Sequence, residues 1–458
     1  MVTAFLKKLF FSSTCLLAIG AFSVGCAKKV DDAVIEAPSY FGSGANEASF
    51  SFDARIIVPE STGKPTEHSI YNSVKYAMKF VLGSVHNNGS VYAGFKIKVN
   101  DFETLPNGDY KVFYNLSGKG VFKKDLTSIK FNIPITPDKL WSLSKYKCHQ
   151  IDEETDEGNF WYTWDPEKNQ CPLVKDEHWY QAIVQLVAMP ATADTYPEYE
   201  RLIVDNQLQM TMYFGAADHD NVNWNPLDPK LKDQGARSYM QMRDYLVKTL
   251  GYASRVMPTD EISSNYSLRP KLQMPFAEEL IKVTPKGNIR IRLFFLETAY
   301  LNDNSAAFHY ILRNSVKNEA VILYDGHSGI GRNLNLDRIE TNNGFKISFN
   351  TNYQVIYFGS CLPYAYYTDL FFKRKITDTD PNGTKNLDIL AYAKEAHFGN
   401  VENLRLVLAF DDYMLKGIKT SYQKIITETP KDFFGVIGDE DNNMPQAFSS
   451  AIPGLNIN

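Results

Sequence analysis

From Phe50 the chain sets apolar positions against polar neighbours in alternation, with Phe50, Phe52, Ala54 and Ile56 on one side, and Val91 to Val99, Tyr110 to Leu116 and Ile129 to Ile133 behave similarly. A period of two predicts half-buried strands. Pro106-Asn-Gly108 between two of these runs is a turn signal. From Asn72 to Leu82 the period changes, because Val74, Ala77, Met78 and Val81 fall on one helical face. A further strand is expected near Ala182 to Met189. Residues 49–204 therefore read as a β-rich N-terminal domain with an insert at about 141–180.

After Pro197 strand patterns alternate with helical ones, which predicts a mostly parallel sheet with flanking helices over residues 205–440. Leu208, Met210, Met212 and Phe214 make a strand ending at Gly215. Arg237 to Leu250 is a helix with Tyr239, Met242, Leu246 and Leu250 on one side, stopped by Gly251. Ile289 to Leu296 follows as a strand and Ser305 to Val316 as a helix. Then come two apolar runs, Val321 to His327 and Tyr353 to Cys361, of the kind expected for strands buried on both faces. Leu404 to Phe410 reads as a strand and Asp412 to Thr427 as a helix, with 441–458 left as a C-terminal tail.

The first 25 residues have the pattern of an export signal: Lys7 and Lys8, an apolar stretch from Leu9 to Phe22, then Ser23-Val-Gly-Cys26 as a lipoprotein-type cleavage box. Cys26 would carry the lipid; the alternative is a plain secretory signal in which Cys26 is incidental. The apolar stretch is too short for a membrane span, so the expectation is an exported cell-envelope lipoprotein anchored to a membrane rather than embedded in it. Small polar residues over 26–48, including Gly42-Ser-Gly-Ala-Asn46, suit a tether.

Five cysteines occur in the chain. Cys15 leaves with the signal and Cys26 takes lipid, which leaves Cys148, Cys171 and Cys361. Cys148 and Cys171 flank the polar, aromatic insert and make a plausible disulfide in an oxidising compartment. Trp161, Trp164 and Trp179 around it are either the core of a stapled lobe or an exposed binding surface. Cys361 is the odd thiol, reactive or a buried hydrophobe. With 458 residues, 44% hydrophobic and 22% charged, there is apolar material for two or three domains, and a net charge of -5 without a basic cluster excludes a nucleic-acid footprint.

His327 and Cys361 each follow a strand pattern, where open α/β sheets place ligands. The blocks Tyr324-Asp-Gly-His-Ser-Gly329 and Phe358-Gly-Ser-Cys-Leu-Pro363 resemble the histidine and cysteine motifs of the caspase-like cysteine peptidases, with Ser328 standing where that family has glycine and without the caspase signature after the cysteine. The resemblance covers roughly residues 205–440 and implies a caspase-like α/β domain preceded by the β-rich one. It also implies Cys361 as nucleophile, His327 as acid/base, and backbone N–H groups of Ser328, Gly329 and Cys361 as oxyanion donors. Peptide or protein would be the substrate and no cofactor would be needed. Asp218 and Asp220, in the loop after the first strand of this region, would receive a basic substrate side chain; ordinary turn chemistry is the other reading, and Asp218-His219-Asp220 matches no metal-ligand spacing. The competing reading of the dyad is a turn histidine and a packed cysteine in a binding or scaffold protein, and a third is another hydrolase or acyl transferase.

Overall fold

The computed structural model describes residues 37–60, 66–85, 89–91, 95–144, 147–148, 164–193, 195–217, 224–228, 232–298, 306–329, 331–396, 402–427 and 432–439. The N-terminal half contributes β1 (Ser39–Phe41), β2 (Ala45–Val58), α1 (Glu67–Ser84), β3 (Gly89–Val91), β4 (Lys96–Thr104), β5 (Tyr110–Lys123), β6 (Ser128–Pro134), α2 (Leu140–Ser144), β7 (Trp179–Gln185) and β8 (Val187–Ala188). β2 and β5 are the long pair of a five-stranded antiparallel sheet, with β3, β4 and β8 beside them, and β6 pairs with β7. Alternation works as expected: Phe50, Ala54 and Ile56 of β2 and Val112, Tyr114 and Leu116 of β5 are buried against Val74, Ala77, Met78 and Val81 of α1. Thr66 starts that helix by accepting from the Ser69 N–H.

The stapled lobe is present as expected. Cys148 and Cys171 are disulfide-bonded, and Trp164 and Trp179 pack with Leu140, Leu173 and Phe80 around them. Closing a loop of 23 residues' separation contributes about 3 kcal/mol through the entropy of the unfolded chain. Trp161 lies outside the described residues.

The second half supplies β9 (Ile203–Val204), β10 (Gln207–Gly215), α3 (Gln234–Asp244), β11 (Ala253–Val256), α4 (Thr259–Tyr266), β12 (Phe276–Thr284), β13 (Gly287–Leu296), α5 (Ala306–Asn318), β14 (Val321–Asp325), α6 (Leu336–Asn343), β15 (Gln354–Gly359), α7 (Pro363–Tyr366), α8 (Thr368–Lys373), β16 (Leu387–Tyr392), α9 (Glu402–Lys416), α10 (Tyr422–Thr427) and β17 (Phe434–Ile437). One ten-stranded sheet runs β1-β17-β16-β15-β14-β10-β13-β12-β11, with β9 on β10. The five strands from β16 to β13 are parallel, and both edges are antiparallel. The sheet is therefore mixed rather than mostly parallel. α4, α5, α6 and α8 pack on one face and α3, α9 and α10 on the other, so the central strands are buried on both sides.

Three further expectations change. Residues 39–48 belong to no tether: β1 pairs antiparallel with β17 at the edge of the large sheet, and Gly42 to Gly44 is the turn into β2. Leu404 to Phe410 is part of α9, not a strand, because a short apolar run buried on both faces has no visible period and only its length of 15 residues separates the two states. The expected helix from Asp412 to Thr427 is two, broken at Gly417, whose φ is +74°. The strand that follows β15 is Leu387–Tyr392. The 441–458 tail and residues 1–36, including Cys26, lie outside the described residues. No described helix is long and apolar enough to cross a membrane.

His309 of α5 is 6% exposed and its Nδ1 accepts from the Asn343 amide of α6. Burial pulls its pKa down from 6.5 to about 4. The unfolded chain takes up a proton near pH 6.5 that the folded chain refuses until about 4, so stability is full above 6.5 and falls as the pH drops through this window, by roughly 3 kcal/mol from this group. Denaturant titrations at pH 7 and pH 4.5 should show His309→Gln losing less stability on acidification than the native chain.

Candidate active site

β10, β14 and β15 are parallel neighbours in register, with Asp325 at the end of β14 opposite Phe214 on one side and Gly359 on the other. Two residues beyond Asp325 comes His327, and two beyond Gly359 comes Cys361. Both therefore leave the carboxyl edge at the same height, on strands about 4.8 Å apart. In chain order the parallel strands run second, first, third, fourth, fifth (β13, β10, β14, β15, β16). The order reverses between β10 and β14, which is where such sheets open a crevice for ligands. His327 stands at that point.

His327 and Cys361 are both half-buried. The imidazole Nε2 donates to the Ala217 carbonyl at 3.2 Å, across the switch point. Asp233, 3% exposed, accepts the Ala217 N–H at 2.7 Å and caps α3 through the Ala236 N–H at 2.8 Å. A carboxylate thus holds the residue whose carbonyl receives the imidazole. The Cys361 thiol donates to the Ala396 carbonyl beyond β16, at 3.8 Å. Imidazole and thiol are thus drawn toward strands on opposite sides of the β14–β15 pair.

The turn after His327 is held tightly. Its own carbonyl accepts from the Tyr324 hydroxyl at 2.5 Å and the Asn333 amide at 2.8 Å. The Ser328 carbonyl accepts from the Tyr367 hydroxyl at 2.8 Å and the Asn333 N–H at 3.2 Å. Tyr367 stands between α7 and α8, in the segment that follows Cys361, so one hydrogen bond ties the two motifs together. Gly329 has φ +54°, and a Cβ there would lie 2.3 Å from Asn333 Oδ1. After Cys361 the chain turns sharply through Leu362, a non-glycine residue at φ +53°, into Pro363 at the start of α7. Such strain persists where the surroundings over-determine it. The amides of Ser328, Gly329 and Cys361 have no hydrogen-bond acceptor among the described residues, which leaves three donors at this edge for an incoming oxygen.

Burial pushes the Cys361 thiol up; the Ala396 carbonyl opposes this and the Glu395 charge adds to it. Asp325 is 2% exposed, and neither carboxylate oxygen is hydrogen-bonded among the described residues. Burial holds its carboxyl well above the usual carboxylate range, with Glu402, itself 1% exposed, pushing the same way. An acidic residue closing the apolar run Val321-Ile-Leu-Tyr-Asp325 is the signal that marks it in the sequence. Asp233, Asn333 and Tyr367 carry no such signal, since their partners are set by the fold. Asp218, His219 and Asp220 lie outside the described residues. No cluster of three or more metal-ligating side chains occurs among the described residues.

Gly329→Ala should destabilise the fold by about 1–3 kcal/mol, from left-handed strain plus the Asn333 contact, as read by urea unfolding. Because burial raises the thiol, alkylation of Cys361 by iodoacetamide should rise with pH through a midpoint above the ordinary thiol value of about 8.5. A midpoint below that value would contradict the electrostatics described here.

Compared with known proteins, the chain matches no family model, no curated protein and no solved structure.

Proposed function

We propose that the chain is a membrane-anchored cell-envelope cysteine endopeptidase of caspase-like fold, in which Cys361 and His327 hydrolyse a peptide bond through an acyl-enzyme. The observation that carries the reading is the delivery of both residues to one edge by adjacent, in-register parallel strands beside the switch point. The Cys148–Cys171 disulfide supports an exported protein, and the Ser23-Val-Gly-Cys26 box supports a lipid on Cys26.

In this proposal the resting sulfur is a thiol. Rotation of Cys361 away from Ala396 brings it toward the imidazole, which takes the proton as sulfur bonds to the scissile carbonyl carbon. The amides of Cys361, Ser328 and Gly329 receive the developing oxyanion. Collapse of the tetrahedral adduct breaks the C–N bond, and the imidazolium gives its proton to the leaving amine. Water, deprotonated by the same imidazole, then cleaves the thioester and restores the thiol. Asp233 acts as a positioning residue through Ala217, and Tyr367 through Ser328. Asp218 and Asp220 are the proposed receptors for a basic side chain next to the scissile bond.

A second reading, a non-catalytic binding or scaffold lipoprotein, is favoured by one observation: thiol and imidazole each hold a backbone carbonyl on opposite sides of the strand pair. A peptide library separates the two. The peptidase reading expects cleavage that falls at least about 1,000-fold in Cys361→Ala and His327→Ala while circular dichroism and Tm stay unchanged. Absence of cleavage by the native chain, or equal cleavage by Cys361→Ala, sinks it in favour of the binding reading.

A further inference from the structure

Far from the dyad, near the amino ends of the same strands, lies a polar recess of about 390 Å³. Gln209 of β10 and Arg290 of β13 are register partners on its floor, with Arg292 two residues further on. Asn265 of α4 and Asn314 and Asn318 of α5 form its walls. Gln209 is six residues before Gly215, so the recess is about 20 Å from the carboxyl edge at 3.3 Å per residue.

The two arginines are in different situations. Arg292 is ion-paired with Glu319 and lies 3.7 Å from Glu279. Arg290 donates to the neutral Gln209 side chain, its Nε is buried without an acceptor, and no carboxylate of the described residues is within ion-pair distance of it. Burial and the Arg292 charge act against its cation, and the Glu319 and Glu279 charges, which favour it, do not offset them. A half-buried guanidinium beside a second one, facing an open recess, is satisfied best by an oxyanion, which a planar fork of donors binds through two oxygens. The walls fit such a ligand. Asn318 donates to Asn314 Oδ1 at 3.1 Å, which leaves the Asn314 N–H groups as donors that Asn318 does not use, and Asn265 stands exposed at the mouth.

We propose that this recess binds a small organic oxyanion, a carboxylate or a phosphate monoester, with Arg290 as its charge partner and the Asn265 and Asn314 amides donating to its remaining oxygens. The site does not rest on the peptidase reading, and it is separate from the dyad edge. Titrating the purified full chain with inorganic phosphate and with acetate at constant ionic strength, chloride being the reference, tests it by thermal shift and calorimetry. A saturable rise in Tm with phosphate or acetate, weakened about tenfold or more in Arg290→Gln, is expected. The anion that binds more tightly identifies the ligand class. If neither anion exceeds chloride, or Arg290→Gln binds as tightly as the native chain, the proposal is overturned. Should Arg290→Gln fail to fold by circular dichroism, Asn265→Asp decides: a carboxylate at the exposed mouth should cost about tenfold in affinity, and unchanged affinity overturns the site.

Discussion

In-register parallel pairing of β14 with β10 on one side and β15 on the other fixes where His327 and Cys361 leave the sheet, because side chains alternate faces along a strand. A slip of one residue between β14 and β15 would turn Cys361 to the opposite face from His327 and would move Val355 and Tyr357 out of the core they share with Val321 and Leu323. The burial of those side chains on both faces therefore secures the relative register of His327 and Cys361. The hydrogen bonds of the edge then refine it, with Asp233 holding Ala217, Ala217 receiving His327, and Tyr367 spanning the gap between the two motifs.

A second constraint joins the β-rich half to the same edge. Glu47 of β2 is 4% exposed and accepts from Lys119 Nζ at 3.0 Å, the Tyr364 hydroxyl at 2.6 Å and the Ser39 hydroxyl at 2.7 Å. Tyr364 is three residues beyond Cys361 and also meets Phe41 edge-on at 5.6 Å. Removing one partner would leave a buried charge uncompensated, which is why such networks hold a geometry firmly even where their net stability is small. The strand before β2 pairs with β17 in the large sheet, so β1 is built into the platform that carries Cys361.

Legibility in the sequence followed the physical period. Amphipathic strands such as β2 and β5, and α1 with its apolar stripe, repeat a pattern that half-burial requires, and they form where the pattern lies. Elements buried on both faces lose that pattern: α9 has twelve buried residues among its fifteen, and its run from Leu404 to Phe410 reads equally as a strand. The Gly42-Ser-Gly turn has a tether's composition, yet pairing of β1 with β17, distant in the chain, orders it. Asp233, Asn333 and Tyr367 are polar residues of ordinary type whose importance comes from partners 6 to 39 positions away.

By itself the sequence determined the α/β character of the chain after Pro197, the pairing of Cys148 with Cys171 as the plausible disulfide, and the closing of two apolar runs by a histidine and a cysteine. These are local facts, written in composition and spacing. Tertiary structure alone decided which strands are neighbours, that the sheet has antiparallel edges, and that the strand order reverses beside His327. Hydrogen bonding between strands is non-local: any two apolar runs can pair, and burial of the whole sheet between two helical layers selects the arrangement in which both faces are covered.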